Sequence, residues 1–131
     1  MEKVGIVLVS HSYELVRGLE RLLRQLNPAV PLAIAGGTEE GEIGTSAYKI
    51  KEAIEQVMSR QGAVVLFDLG SALINAELAI EWLPEASRER VRIVDAPLVE
   101  GAYAAVVQSG LGGSLAEVAQ TAQDAKQMGK L

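Results

Sequence analysis

The sequence predicts an α/β fold of three layers, with helices on both faces of a mainly parallel central sheet. Short runs of aliphatic and β-branched residues alternate with longer stretches whose apolar residues recur at helical spacing. Strands and helices in strict alternation build βαβ units, whose parallel sheets are covered on both faces. The length of 131 residues fits one domain over residues 1–131, and 49% hydrophobic residues supply a core large enough to fold without metal or disulfide.

Lys3–Val9 is an apolar, β-rich run and reads as a buried first strand. Ser10 or Ser12 is placed to cap a helix from Tyr13 to about Asn27, with Leu15, Leu19, Leu22, Leu23 and Leu26 on one face. Asn27-Pro28 ends it. Leu32–Ala35 is the second strand, followed by a long Gly-rich loop, Gly36 to Thr45. Ser46 caps a helix to about Arg60, with Ile50, Ile54, Val57 and Met58 inward. Ala63–Leu69 is the most apolar strand and is expected at the centre. Gly70-Ser71 turns into a helix from Ala72 to Leu83. Val91–Val94 is a fourth strand, Asp95-Ala96-Pro97 leads into a helix over Val99–Ser109, and Gly110 to Gly113 breaks the chain. Ser114 caps a last helix, rich in Ala and Gln, to about Met128, expected to be partly frayed or packed on a partner subunit.

Composition removes several classes of function. There is no cysteine, which excludes thiol catalysis, disulfides and Cys-based metal sites and suits a reducing compartment. The net charge of −5 argues against nonspecific nucleic-acid binding. Arg17, Arg21 and Arg24 fall at helical spacing and read as a solvated helix face. The apolar N-terminal run is too short for a membrane span and has no basic leader, so a cytoplasmic protein is expected, without membrane attachment. There is no GxxxxGK[ST] loop, no GxGxxG after the first strand and no GxSxG elbow. One histidine without cysteine cannot build a usual zinc site, so no metal is expected.

His11 is the only histidine, and it directly follows the first strand. In parallel sheets the strand-to-helix loops gather at the carboxyl end, where ligands bind. Three other loops converge there: Gly36–Thr45, Asp68–Ser71 and Asp95–Pro97. The result is one imidazole facing two carboxylates, several hydroxyls and many backbone N–H groups. That set fits a transient phosphohistidine. A neutral imidazole nitrogen is a nucleophile near physiological pH. A carboxylate on the other nitrogen fixes the tautomer and stabilises the cationic ring formed on attack. Asp68, ending an apolar strand, is the first choice for that role and Asp95 the second. Ser12, Gly36, Gly37, Thr38, Thr45, Ser46, Gly70, Ser71 and Asp95 are the candidates for holding phosphoryl oxygens or supporting the site, through backbone amides, hydroxyls and helix N-termini.

Gly5-Ile6-Val7-Leu8-Val9-Ser10-His11-Ser12 resembles the start of the phosphotransfer subunits of phosphoenolpyruvate-dependent dihydroxyacetone kinases, which have the EIIA-mannose fold. The resemblance continues through Ala35-Gly36-Gly37-Thr38-Glu39-Glu40-Gly41-Glu42-Ile43-Gly44-Thr45-Ser46, then Lys49-Ile50 and Ala53-Ile54. It includes Leu66-Phe67-Asp68-Leu69-Gly70-Ser71-Ala72 with Asn75 and Glu77, and Asp95-Ala96-Pro97-Leu98-Val99-Glu100-Gly101-Ala102. It covers residues 4 to about 116. The Gly-Gly-Thr block and the Ala-Pro-Leu-Val-Glu-Gly-Ala block are specific in combination, whereas the strand-Ser-His opening is shared with the wider family of mannose-type EIIA domains.

The resemblance implies a phosphocarrier that takes a phosphoryl group from HPr onto His11, at the nitrogen farther from the backbone. It implies transfer to ADP held on a helical, nucleotide-binding partner subunit, whose ATP phosphorylates dihydroxyacetone on a third subunit. It further implies a homodimer, a stand-alone form of a subunit that larger relatives fuse to other domains, and no cofactor on this chain, the ADP/ATP residing on the partner. Two related readings share the histidine: the EIIA component of a mannose-type sugar transporter, handing its phosphoryl group to an EIIB protein, and a regulatory EIIA-like module. A flavodoxin-like ligand binder is a third, and it would need a phosphate loop where this chain offers His11.

Overall fold

A computed structural model describes residues 2–131. Four parallel strands stand in the order β2-β1-β3-β4, with β1 at Gly5–Ser10, β2 at Leu32–Gly36, β3 at Ala63–Phe67 and β4 at Val91–Ile93. The helices are α1 (Tyr13–Leu26), α2 (Ala47–Val57), α3 (Ala72–Glu81), α4 (Glu85–Arg88), α5 (Leu98–Gly110) and α6 (Leu115–Gln123), and a 3-10 turn at Asp124–Gln127 follows. The three-layer α/β expectation holds, and the sheet is entirely parallel.

The two central strands divide the core by the period of two along a strand. Ile6 and Leu8 of β1, with Val64 and Leu66 of β3, face one side and pack on α1, α5 and α6. Val7 and Val9, with Ala63 and Val65, face the other and pack on α2 and α3. Every residue of β1 is buried. Full burial of each large aliphatic side chain is worth roughly 1.5–3 kcal/mol, so these two layers fix the strand register.

Several elements differ from the sequence expectation. The leucines of α1 do not share one buried face: Val16, Leu19 and Leu23 are buried, whereas Leu15, Leu22 and Leu26 are exposed. The apolar arc of α1 is wider than the strip that fits against the sheet. Helix α2 stops at Val57, because Met58 is already extended. The short helix α4 begins after Pro84, whose lost N–H suits a helix start, and periodicity cannot register four residues. The C-terminal helix packs its inner face on its own chain. Val118 and Ala122 lie in the core beside α5, and Ser114 and Glu117 form a reciprocal capping box. It ends earlier than expected, tightening into the 3-10 turn at Asp124.

Gly36 lets the start of α1 lie against the end of β2. A Cβ there would sit 2.6 Å from Val16 Cγ1 and 2.7 Å from the Tyr13 Cα. Gly36→Ala is expected to destabilise the fold by about 1–3 kcal/mol, since backbone must move to admit the methyl group. Urea unfolding followed by circular dichroism measures this, and an unchanged midpoint would show that α1 has more freedom than the contacts imply.

Candidate functional site

The chain leaves β1 toward one face of the sheet, into α1, and leaves β3 toward the other, into α3. Adjacent strands whose connections part in this way open a crevice at their carboxyl ends. His11 follows β1 and Asp68 follows β3. The register pairs Val9 with Phe67, and the Asp68 N–H donates to the Val9 carbonyl at 3.2 Å. The next side chains on the two strands therefore meet.

Asp68 is the hub of that meeting. Its Oδ2 accepts from Ser10 Oγ at 2.8 Å and from the His11 N–H at 3.0 Å. Its Oδ1 accepts from His11 Nδ1 at 2.9 Å and from the Leu69 N–H at 2.7 Å. Four donors fill the acceptor capacity of the carboxylate. Partial burial pushes the Asp68 carboxyl up, but the hydrogen bonds from the His11 N–H, the His11 ring, Ser10 and the Leu69 N–H together hold it below the ordinary value. An ionised carboxylate can only accept, so His11 Nδ1 carries the proton. Nε2 is then the unprotonated nitrogen, and its electron pair accepts from Ser71 Oγ at 2.8 Å. The side chains of His11 and Asp68 keep 19% and 15% of their surface, enough for access from one side.

The donors nearest Nε2 come from the start of α3. Ser71 is exposed, and its hydroxyl is placed to leave Nε2 and serve an incoming anionic oxygen. Among the described residues, the N–H groups of Gly70 and Ser71 have no acceptor in the chain. They point with the helix N-terminus, where partial positive charge favours an anion.

The Gly-rich loop plays a different part. Its Gly44 N–H donates to the His11 carbonyl at 2.9 Å, and its Gly37 N–H to the Ser10 carbonyl at 3.1 Å. Gly37 and Gly44 have positive φ, which lets these two amides turn inward. Thr38 is used within the loop, its hydroxyl accepting from the Glu42 N–H. Gly36 and Thr38 offer their carbonyls to Lys49 Nζ at 2.7 and 3.2 Å. Thr45 Oγ1 accepts from Asn75 of α3 at 2.7 Å, and Ser46 caps α2. This block therefore buttresses the His11 loop. Ser12 likewise caps α1, accepting from the Leu15 N–H.

Asp95 does not join the cluster. Its carboxylate pairs with Lys126 at 2.6 Å, and its side chain is 85% exposed. Strand β4 is separated from β1 by β3, so the loop that follows it lies one strand too far to orient the ring. Ser10, Lys49 and Asn75 were not singled out from sequence as site residues. Ser10 had a usable signal, a hydroxyl at the fully buried end of a strand beside the only histidine. Among the described residues, no group of acidic and histidine side chains is arranged to hold a metal ion, and no helix is long and apolar enough to cross a membrane.

Asp68 ties this cluster to stability. Its carboxyl titrates lower in the folded chain than its ordinary value of 3.8, so as pH falls the unfolded chain takes up the proton first. The stabilisation is complete above that value and is lost as pH drops through the folded value. Asp68→Asn should cost about 1–3 kcal/mol at neutral pH, because an NH2 group cannot accept two of the four donors. It should also flatten the acid limb of a stability–pH curve below the ordinary carboxyl value of 3.8. Parallel curves for the two proteins would remove Asp68 from the acid transition.

Residues 5–119 match the EIIA-man family model, described as the PTS system fructose IIA component. The chain is 40% identical over 107 residues to the DhaM phosphoryl donor subunit of PEP-dependent dihydroxyacetone kinase 2 from Listeria innocua serovar 6a, covering 81% of this chain and 86% of that one. It is 41% identical over 126 residues to the DhaM phosphoryl donor subunit of the PEP-dependent dihydroxyacetone kinase of Klebsiella michiganensis, covering 93% of this chain but only 27% of that longer protein. Among solved structures, the unknown-function protein EF1359 superposes with a TM-score of 0.82 at 35% identity, over 93% of this chain and 94% of that one. With matches of this identity across most of its length, the chain belongs to the EIIA-man family, in the branch of the DhaM subunits.

Proposed function

We propose that this chain is the phosphocarrier subunit of a PEP-dependent dihydroxyacetone kinase, accepting a phosphoryl group from HPr on His11 and passing it to ADP held on a nucleotide-binding partner subunit. The reading is supported most by one observation: Nδ1 is tied to Asp68, while Nε2 meets only the exposed Ser71 hydroxyl at the start of α3. The curated relatives named as phosphoryl donor subunits supply the substrate system.

In the first step the Nε2 electron pair attacks the phosphorus carried by HPr. The new N–P bond forms as the bond between phosphorus and the donor breaks, and the donor group keeps the electron pair of that bond. Ring charge that develops on His11 is balanced by Asp68 through the Nδ1–H bond. Ser71 Oγ and the Gly70 and Ser71 amides take the phosphoryl oxygens. Loose phosphoryl transfer requires positioning and charge stabilisation more than covalent assistance, and this site offers both. In the second step a terminal ADP oxygen attacks, the Nε2–P bond breaks and neutral His11 is restored. Both partners must reach the same nitrogen in turn, which a shallow rim allows. A homodimer and a cytoplasmic setting belong to the same proposal.

A transporter EIIA would use the same residues and differ only in its acceptor. Incubation with PEP, enzyme I and HPr should give an acid-labile adduct of one phosphoryl group, seen by mass spectrometry, that the ADP-loaded helical subunit discharges. Discharge by an EIIB protein alone would favour the transporter. His11→Ala should abolish the adduct with the fold intact, and a phosphorylated variant would sink the assignment. Asp68→Asn should slow transfer by roughly 10²–10⁴-fold, the range of a lost proton-positioning group. An unchanged rate would take Asp68 out of the mechanism.

A further inference from the structure

Ser71, Asn75 and Trp82 stand at i, i+4 and i+11 along α3 and at its end, so they share one side of the helix. The first touches His11, the second holds Thr45 of the Gly-rich loop, and the third is the only tryptophan in the chain. Between this side of α3 and the start of α2 lies an open cleft of about 320 Å³, with Glu39, Glu40, Tyr48, Asn75 and Trp82 among its walls. It opens one turn of α3 from Ser71, about 6 Å along the axis.

Tyr13, Tyr48, Trp82 and Tyr103 each stand about half in solvent, and two of them, Tyr48 at 52% and Trp82 at 48%, meet in this one cleft. Such rings are enriched where one protein meets another. No cationic side chain lines the cleft. Lys49, one residue from Tyr48, turns its ammonium group to the carbonyls of Gly36 and Thr38. The cleft thus brings together two aromatic side chains and two carboxylates, of which Glu39 accepts from Ser46 and neither meets a cation among the walls. That is the chemistry that binds a guanidinium or ammonium group, and a planar guanidinium best.

We infer that this cleft is the socket for an arginine or lysine side chain of the protein that delivers the phosphoryl group to His11. The inference rests on the phosphocarrier reading. A protein that brings phosphorus to Nε2 must cover the neighbouring turn of α3, and with it the cleft. Glu39 and Glu40 repel the phosphoryl group itself, so what they receive is a cation on the surface that flanks it. The donor meets this surface while His11 is unmodified. The acceptor meets it only after an anionic phosphoryl group has been added, so the two partners face different fields.

Trp82 makes docking directly visible. Its emission should shift saturably on titration with HPr, and the apparent affinity should fall as salt rises. Trp82→Leu and the exposed substitution Glu40→Gln should each raise the KM for phospho-HPr about ten-fold, with kcat unchanged. Phosphorylation of His11 by phosphoramidate, a small donor that needs no docking surface, should proceed at the parent rate in both variants. An unchanged KM, or an emission shift with the ADP-bearing subunit but not with HPr, would overturn the inference. Loss of the phosphoramidate reaction in either variant would also overturn it, by showing that the cleft shapes the His11 site instead. Failure of the unaltered protein to take phosphoryl from either donor would instead remove the phosphocarrier reading beneath it.

Discussion

The carboxylate of Asp68, saturated by four donors, is the interaction on which the site depends. It receives one bond from the end of β1, two from the residue that follows it and one from its own loop. An acceptor so fully used has no low-energy alternative position, and neither does the ring it holds. The backbone N–H of His11 and its Nδ1 are gripped by the two oxygens of one side chain, so loop and imidazole are fixed together. Nε2 is what this grip leaves over, and the proposed chemistry is built on it.

The sheet explains why the grip is possible. Parallel pairing of Val9 with Phe67 brings the residues after β1 and β3 level, and the divergent routes of α1 and α3 keep the space above them open. The buried aliphatic layers hold that register, since a slip of one residue would turn each layer outward. The Gly-rich loop adds a second tier, with the Gly37 and Gly44 amides pinning the carbonyls of Ser10 and His11. Lys49 and Asn75 hold that loop in turn, from α2 and α3. Backbone that would wander in a free loop is thereby tied from four directions.

Much of this was legible in the sequence because it depends on patterns that are local. Strand alternation, the serine caps of α1, α2 and α6, and the histidine at a strand end each follow from a few neighbouring residues. The place of Asp68 at the end of an apolar strand puts it ahead of Asp95 in the sequence, and strand order adds why only Asp68 lies beside the ring. The leucines of α1 show the complementary limit: periodicity finds an apolar arc, but not which half of a wide arc the sheet covers. For the Gly-rich loop, composition leaves open whether it holds a ligand or supports the site. Glycine reports that backbone is free to approach something closely, and here that something is the His11 loop. The open cleft beside α3 was invisible, since Tyr48 and Trp82 belong to different elements.

The relation of the two imidazole nitrogens is the central claim. In the proposed function Nδ1 keeps its proton against Asp68, and Nε2 takes the phosphoryl group. Nitrogen-15 NMR of the phosphorylated protein, labelled at histidine, reads this directly because the chain has one histidine. The account predicts phosphorus coupled to Nε2 and a retained proton on Nδ1. Phosphorus on Nδ1 would contradict it, since that bond cannot form while Asp68 holds the ring as the geometry shows.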